Sequence, residues 1–301
     1  MISLVGLEAY SSLLSFFAPA LPHRALGSFF YCGQVLPTHR SLHSPHGGLF
    51  QPTIPQAIRL LSAQPFTTSP RALGTSHKLD NGKSSDSSSD NDLTTFTTTG
   101  LDRYVSPSLF PGSNRHAWVH IFPEACVHQH PRAALRYFKW GVSRLILESE
   151  PAPDVVPMFL DGTSRIMPED REFPRFLPRV GVRLRVAFGD ALDADRAFGD
   201  LRARWRDLVR RSAERAGRPE VASAAAMGDL SDELRYGKEA VELRIECARR
   251  VREEVLRLRR RLGYPDEDPA LGLAENWTRR EPASHDKFRS PVDDSLVNKK
   301  D

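Results

Sequence analysis

The stretch HAWVHIFPEACVHQHPRAALRYFKWGVSRLI, from His116 to Ile146, decides the fold. Its first part, WVHIF at 118–122, is rich in β-branched and aromatic residues and predicts a short strand. A turn at Pro123 and Glu124 follows. Further on, in ALRYFKWGVSRLILES at 134–149, apolar residues recur at helical spacing and predict a helix: Leu135, Phe138, Val142, Leu145 and Ile146. The segment therefore reads as strand, loop, helix.

Two more strands are expected after this helix. VVPMFL at 155–160 is a short apolar run that ends at Asp161 and Gly162, which is typical of a buried strand entering a turn. In VRLRVAF at 182–188, apolar residues alternate with Arg183 and Arg185, so one face should be buried and the other basic. Strands mixed with helices in this order indicate an α/β layer fold.

Composition supports one sizeable core with irregular segments. The 301 residues are 40% apolar and 9% aromatic, and they include 23 prolines and 19 glycines. IPQAIRLL at 54–61 has the spacing of a short helix. Four parts are expected in chain order: an apolar N-terminal segment at 1–23, an α/β domain at 24–200 with a disordered polar insert at 75–100, basic amphipathic helices at 201–264, and an irregular tail at 265–301.

Charge, cysteines and hydropathy exclude several classes of protein. A net charge of +4 is too small to indicate nucleic-acid binding. Cys32, Cys126 and Cys247 are odd in number and far apart, so neither a disulfide scaffold nor a paired-cysteine motif is predicted. Residues 1–21 contain Glu8 and lack the pattern of a spanning helix, a secretory signal or an Arg-rich presequence. Any contact with a membrane is therefore expected to be peripheral.

The helical region carries the basic excess. Between 201 and 262 there are 17 basic and 11 acidic residues, and the stretch from Asp232 to Leu262 reads as a long amphipathic helix stopped by Gly263 and Pro265. Two interpretations stay open. The basic residues either face an anionic lipid surface, with apolar side chains from 1–30 or 133–146 inserted beside them, or form ion pairs with acids on the same helices.

A cluster of possible metal ligands lies in the deciding stretch: His116, His120, Cys126, His128 and His130. On a strand, however, residues four apart lie roughly 13 Å apart, which argues against a zinc site. The other interpretation is an anion-binding loop, because the turn at Phe122, Pro123 and Glu124 is followed by basic side chains. Metal is therefore not expected, although a zinc enzyme remains a third hypothesis.

Four motifs together resemble the glycerolipid acyltransferases, and within them the tafazzin group in its fungal form. IFPEACVHQHPRAALRYFKWGVSRLILESEPAPDVVPMFLDG at 121–162 resembles the FPEG block of that family and the helix and strand after it. The segments at 28–40, 166–190 and 262–277 resemble its second block, its later turn and strand, and its C-terminal part. The likeness covers about 24–280, apart from the polar insert.

The resemblance implies a CoA-independent transacylase that moves acyl chains between phospholipids and lysophospholipids and so remodels cardiolipin. It implies an acyltransferase sheet flanked by helices, no cofactor, and peripheral binding at mitochondrial membranes on the intermembrane-space face. Phospholipids, lysophospholipids and the membrane surface are its expected partners. Arg40, Phe122, Pro123 and Glu124 are the implied substrate-binding residues, and a guanidinium such as that of Arg40 can bind phosphate bidentately.

Two departures bear on activity. The family's catalytic block is H-x-x-x-x-D, yet none of the ten histidines has an aspartate five residues later, so no catalytic residue is assigned. The chain is therefore expected to resemble a family member that begins after this block, with the N-terminal part of the fold missing. Ala125 stands where the family has glycine. A catalytically inactive lipid-binding homologue, or a truncated gene product, is the alternative to an active transacylase.

Overall fold

The computed structural model of the chain describes residues 36, 48–51, 53–62, 95–96, 104–105, 117–124, 130, 132–168, 177–218, 221–222, 225, 228–273, 288–289 and 296–297. Arg40, Ala125 and the segment 1–23 lie outside these ranges. Of the predicted insert at 75–100, only residues 95 and 96 are described. The expectation of disorder there stays a prediction.

Helices and short strands alternate along the described ranges. The α-helices with defined bounds are α1 Thr53–Leu61, α2 Gly141–Glu148, α3 Thr163–Ile166, α4 Ala194–Ala216, α5 Asp232–Tyr236 and α6 Lys238–Arg261, and a 3₁₀ turn Pro269–Gly272 follows them. Three antiparallel pairs join β1 Thr95–Phe96 to β2 Tyr104–Val105, β3 Met158–Asp161 to β4 Arg185–Phe188, and β5 Phe288–Arg289 to β6 Leu296–Val297. A mixed helix-and-strand structure is thus confirmed, while a larger acyltransferase sheet is not formed by these residues.

Helix α2 lies at the centre of the core. It packs against α1, α4 and α6, and nearly all of its side chains are buried, as expected for a helix enclosed on every side. Its two charged residues form a buried ion pair, in which Arg144 Nε and Nη2 each donate to a Glu148 oxygen at 2.7 Å. Ser143 Oγ donates to the carbonyl of Arg244 on α6 at 2.7 Å. These bonds fix how α2 lies against α6.

The long helices α4 and α6 begin and end at recognisable signals. Asp193 caps α4, since its Oδ1 accepts the backbone N–H groups of Asp195 and Arg196. Gly217, with φ +61°, ends that helix. The predicted long helix from Asp232 is divided at Gly237 into α5 and α6, and α6 stops just before Gly263, as the sequence indicates.

The antiparallel strands β3 and β4 are connected by residues 162–184, which include α3, and we call this strand pair the hairpin. One of its faces meets the core. Phe159 is buried, and its ring lies 5.8 Å from that of Tyr264, after the end of α6. Tyr264 also donates its hydroxyl to Asp161 Oδ1 at 2.5 Å. Phe159 and Asp161 alternate with Leu160, so the side of the hairpin that carries Leu160 faces away from α6.

This arrangement corrects one prediction. The apolar face of VRLRVAF was expected to be buried, but Leu184, Val186 and Phe188 are about half or more exposed. The physical reason lies in the partner strand. The core contact is made by Phe159 and Asp161, and in the observed register these residues pair with Ala187 and Arg185, not with the larger apolar residues of β4.

The basic residues of α4 and α6 are largely used within the protein. Arg202, Arg244, Arg252 and Arg259 are buried. Many of the others pair with acids, including the half-buried Arg250 with Asp200 at 2.6 Å and with Glu246 at 2.9 Å. The interpretation as internal ion pairs is therefore the one that the structure favours.

The expectation that 133–146 inserts into a membrane is wrong, because its apolar side chains belong to the core: Ala134, Leu135, Phe138, Val142, Leu145 and Ile146. Within the described part of the chain, no helix is both long enough and apolar enough to cross a bilayer.

Candidate substrate-binding site

The turn at Phe122, Pro123 and Glu124 is tied to a segment downstream of it. Pro123 is buried, and its carbonyl accepts the backbone N–H of Lys139 at 2.7 Å. The Glu124 carboxylate accepts the backbone N–H of Arg136 through Oε2 at 2.9 Å. Two bonds thus hold the turn against residues 136–139.

The carboxyl group of Glu124 titrates close to neutral pH. Burial raises its pKa to about 7, and the hydrogen bond from the Arg136 backbone offsets only part of that effect. The group is therefore partly protonated under physiological conditions. Its bond to a backbone amide shows that it positions the downstream segment.

The same segment is held from its other side by Arg252 of α6 and by Glu267. Arg252 donates from Nη2 to the carbonyl of Leu135 at 2.8 Å and from Nε to the carbonyl of Arg136 at 2.9 Å. Glu267 Oε2 accepts the backbone N–H of Leu135 at 2.9 Å. Together with Glu124, these side chains bind both N–H groups and both carbonyls of two consecutive residues.

Within the clamp, as we call Glu124, Arg252 and Glu267, the charges of Arg252 and Glu267 neutralise each other. Arg252 Nη2 also forms an ion pair with Glu267 Oε1, and both side chains are almost fully buried. A neighbouring arginine extends the pattern. Arg259 donates from Nε to the carbonyl of Ala133 and from Nη2 to that of Arg132, both at 2.9 Å.

These bonds explain why the predicted helix over 134–149 is wrong in its first half. Residues 133–139 are not helical, and α2 begins only at Gly141. The N–H and carbonyl groups of Leu135 and Arg136 bind side chains from distant parts of the chain, so they are not free for a helical ladder. Glu124 therefore binds the backbone of a non-helical segment instead of capping a helix.

Arg252, Arg259 and Glu267 were not predicted from the sequence as part of this site. A signal was present for the arginines, because Arg244, Arg252 and Arg259 recur at spacings of eight and seven residues. That period places them on the buried stripe of α6. Arginines on such a stripe need acceptors inside the fold. No sequence pattern around Glu267 indicates its role, because the residue that it binds, Leu135, lies 132 positions away in the sequence.

An aromatic ladder precedes the turn. The His120 ring lies 6.0 Å from that of Trp118 and 5.9 Å, edge to face, from that of Phe122. The three residues are spaced two apart in the sequence. Of the strand predicted there, however, only Val119 makes a β-bridge. Phe122 is thus positioned by stacking.

Two histidines of the proposed metal cluster are described. Burial lowers the pKa of His120 to about 4, which makes it a poor base at neutral pH. Burial, together with Arg132 and Arg259, also lowers the pKa of His130, whose Nδ1 accepts the N–H of Arg132 at 3.2 Å. Within the described ranges, no three His, Cys, Asp or Glu side chains lie close enough to hold a metal ion. His116, Cys126 and His128 lie outside those ranges.

Three of the four sequence-predicted site residues are consecutive in the sequence and lie within the described residues. Phe122, Pro123 and Glu124 form one anchored turn beside the C-terminal half of α6. Arg40 lies outside the described residues, so its position relative to the turn is not defined. The turn thus has a backbone held in place by hydrogen bonds, and it carries one carboxyl group, that of Glu124, with a pKa of about 7.

No family model matches the chain. Tafazzin from Saccharomyces cerevisiae is 34% identical over 267 residues, which cover 85% of this chain and 60% of the yeast protein. Taffazin from Dictyostelium discoideum is 39% identical over 85 residues, 27% of this chain and 28% of that protein. Tafazzin from Drosophila melanogaster is 34% identical over 87 residues, 29% of this chain and 22% of that protein. The matches span less than two thirds of the length of these relatives.

Proposed function

The chain is a tafazzin homologue within the acyltransferase family, and we propose that it acts in acyl transfer from phospholipids to lysophospholipids, without coenzyme A. The 34% identity with yeast tafazzin across 85% of this chain is the observation that carries the proposal. Cardiolipin and its lysolipid are the proposed substrates, and mitochondrial membranes facing the intermembrane space are the proposed location.

In this proposal, the anchored turn at Phe122, Pro123 and Glu124 forms part of the substrate site. Glu124 fixes the turn by its bond to the Arg136 backbone, and Arg40 supplies a guanidinium for the lipid phosphate. An acyltransferase-type sheet in the 24–200 domain is part of the proposal, as are the polar insert at 75–100 and the tail at 265–301. The helices of 201–264 support the site through Arg252.

The transfer rate of the 301-residue chain should be low. Its ten histidines all lack the aspartate five residues later that orients the family's general base. Loss of a positioned base lowers a rate by roughly 10²- to 10⁴-fold. The same feature favours the second candidate function, a lipid-binding homologue without catalysis.

The test is acyl transfer from labelled phosphatidylcholine to lysocardiolipin, measured by mass spectrometry beside yeast tafazzin as the reference. We expect transfer that is slower than the reference by roughly 10²- to 10⁴-fold and that does not require coenzyme A. Lysophospholipid binding without any transfer would support the second candidate. A chain that neither binds lysophospholipid nor transfers acyl groups would contradict both.

A further inference from the structure

Glu267, in the loop after α6, acts on the substrate turn through Arg252. One oxygen of its carboxylate forms an ion pair with Arg252 Nη2, and the other accepts the backbone N–H of Leu135 at 2.9 Å. Arg252 in turn donates to the carbonyls of Leu135 and Arg136. Because both charged side chains are almost fully buried, each depends on a nearby opposite charge.

Arg252 is within electrostatic reach of a second carboxyl group, that of Glu124. Glu124 binds the N–H of Arg136, and Arg252 binds the carbonyl of that same residue. Burial is the main cause that raises the pKa of Glu124, while the Arg252 charge lowers this pKa and the Glu267 charge raises it. Glu124 and Glu267 are therefore two possible partners for one guanidinium group.

The loop after α6 closes another side of Arg252. A Cβ added at Gly272 would lie 3.0 Å from Arg252 Nη1 and 3.4 Å from Cζ, so the 3₁₀ turn packs closely against the guanidinium group. Asp268 fixes this 3₁₀ turn, since its Oδ1 accepts the backbone N–H of Ala270 at 2.9 Å. Packing thus limits movement of the guanidinium group toward the loop.

We propose that Glu267 is a positioning residue of the substrate site: by pairing with Arg252, it keeps that guanidinium group away from Glu124. Glu124 then stays bound to the Arg136 backbone and holds the anchored turn in place. The loop at 262–273 thereby becomes part of the site. The inference rests on the proposed function, because that function assigns the turn to substrate binding.

A purely structural role for Glu267 predicts a different result. In that case, loss of its carboxylate weakens the fold as a whole, and the effect does not depend on Glu124. In the proposed role, loss of the carboxylate frees Arg252 to pair with Glu124 and draws Glu124 from the backbone. Substitutions of Glu267 and Glu124 should therefore be non-additive.

The first test is the titration of Glu124 in the full chain, followed by NMR of its carboxyl carbon. In Glu267→Gln, the pKa of Glu124 should fall well below its wild-type value of about 7. Asp266→Asn is the matched control and should leave this pKa unchanged, because Asp266 is the preceding residue and pairs with the exposed Arg260 at 2.8 Å. An unchanged pKa in Glu267→Gln would overturn the proposal.

The second test is hydrogen exchange at the backbone amide of Arg136, which binds Glu124. The reference is the amide of Arg144, which donates to the Trp140 carbonyl at the start of α2. Glu267→Gln should speed exchange at Arg136 by about tenfold more than at Arg144, as expected for the loss of one hydrogen bond. Equal acceleration at both amides would show general destabilisation and would overturn the proposal.

The third test is binding of a lysophospholipid below its micelle concentration, measured by calorimetry. Glu267→Gln should lower affinity about tenfold, since a displacement of about 1 Å in a positioned site can cost up to 10²-fold. Asp266→Asn should bind like wild type. Adding Glu124→Gln to Glu267→Gln should restore part of the affinity, because the neutral amide no longer attracts Arg252 but still accepts the Arg136 N–H.

Stability separates this recovery from a general effect on the fold. The double variant should be less stable than Glu267→Gln, because Arg252 then has neither acid beside it. Affinity and stability should thus change in opposite directions. A double variant that binds no better than Glu267→Gln would overturn the proposal.

Gly272→Ala provides a second perturbation if Glu267→Gln does not fold. The added Cβ displaces the Arg252 guanidinium group from the side of the loop, so exchange at the Arg136 amide should rise. Gly199→Ala on α4 is the control, because nothing lies within 4 Å of a Cβ there. Equal exchange in the two alanine variants would overturn the proposal.

The outcomes also separate this proposal from the proposed function. Wild-type protein that binds no lysophospholipid would contradict the function, whereas titration and exchange would still decide the role of Glu267. Lysophospholipid binding that Glu267→Gln retains in full would count against this proposal alone.

Discussion

Arg252 and Glu267 form a buried ion pair whose two members also bind the carbonyl and the N–H of the same residue, Leu135. The pair thereby joins helix α6, the loop after it and the segment that follows the Phe122 turn. Because both charges are buried, each depends on the other for compensation.

Arg252→Met should therefore destabilise the protein strongly. It leaves the Glu267 carboxylate buried without its ion-pair partner, and removing one member of a buried pair costs about 3–5 kcal/mol. The free energy of unfolding in urea measures this loss. Arg257→Met is the control, because Arg257 pairs with Glu254 near the surface, where such pairs contribute about 1 kcal/mol or less. Equal losses in the two variants would show that the clamp is not a stabilising unit.

Glu124 should make stability fall as pH rises. Its pKa is about 7 in the folded protein and 4.5 without the fold. Between these values the folded chain keeps a proton that the unfolded chain has released, so the free energy of unfolding decreases by up to about 1.4 kcal/mol per pH unit. Glu124→Gln removes this dependence.

The measurement is urea unfolding of wild type and Glu124→Gln at pH 5, 6, 7 and 8. The difference between them should grow in favour of the variant up to about pH 7 and then level off. Glu246→Gln provides the control. Hydrogen bonds from Arg249 and Arg250 lower the pKa of Glu246 to about 2, so its contribution is constant across this range. A Glu124→Gln difference that does not vary with pH would contradict burial of the carboxyl.

Gly162→Ala should disturb the hairpin more than Gly181→Ala. Both glycines have positive φ, which costs a residue with a Cβ about 1 kcal/mol. At Gly162 the added Cβ would also lie 2.6 Å from the carbonyl oxygen of Arg183, whereas at Gly181 nothing lies within 4 Å. We expect a loss of about 1 kcal/mol at Gly181 and about 2–4 kcal/mol at Gly162. Thermal unfolding of the two variants compares them, and a larger loss at Gly181 would contradict the turn geometry.

Arg40→Lys tests the proposed phosphate contact. Lysine keeps the charge but not the planar fork, so affinity for a lysophospholipid should fall although net charge is unchanged. Arg40→Ala should lower it further, about 10- to 100-fold, as expected for a charged hydrogen bond. Calorimetry with a lysophospholipid below its micelle concentration gives the affinities, and Arg204→Ala on α4 is the control. Unchanged affinity in both Arg40 variants would remove Arg40 from the site.

The sequence by itself determined the local elements with strong signals. The spacing of IPQAIRLL predicts α1, the stop at Gly263 ends α6, and the apolar run before Asp161 predicts β3. The motifs around Phe122, Pro123 and Glu124 indicate the acyltransferase relationship. These features depend on neighbours in sequence, through helical periodicity, end signals and turn residues.

Tertiary structure decided what those elements contact. Periodicity marks 134–149 as apolar at helical spacing, but the first half is not helical because Glu124, Arg252 and Glu267 take the backbone hydrogen bonds of Leu135 and Arg136. Alternation marks one face of β4 as apolar, but only the docking of Phe159 and Asp161 against Tyr264 decides that this face points outward. A local pattern fixes which side chains share a face, whereas long-range bonds between distant segments decide which face is buried.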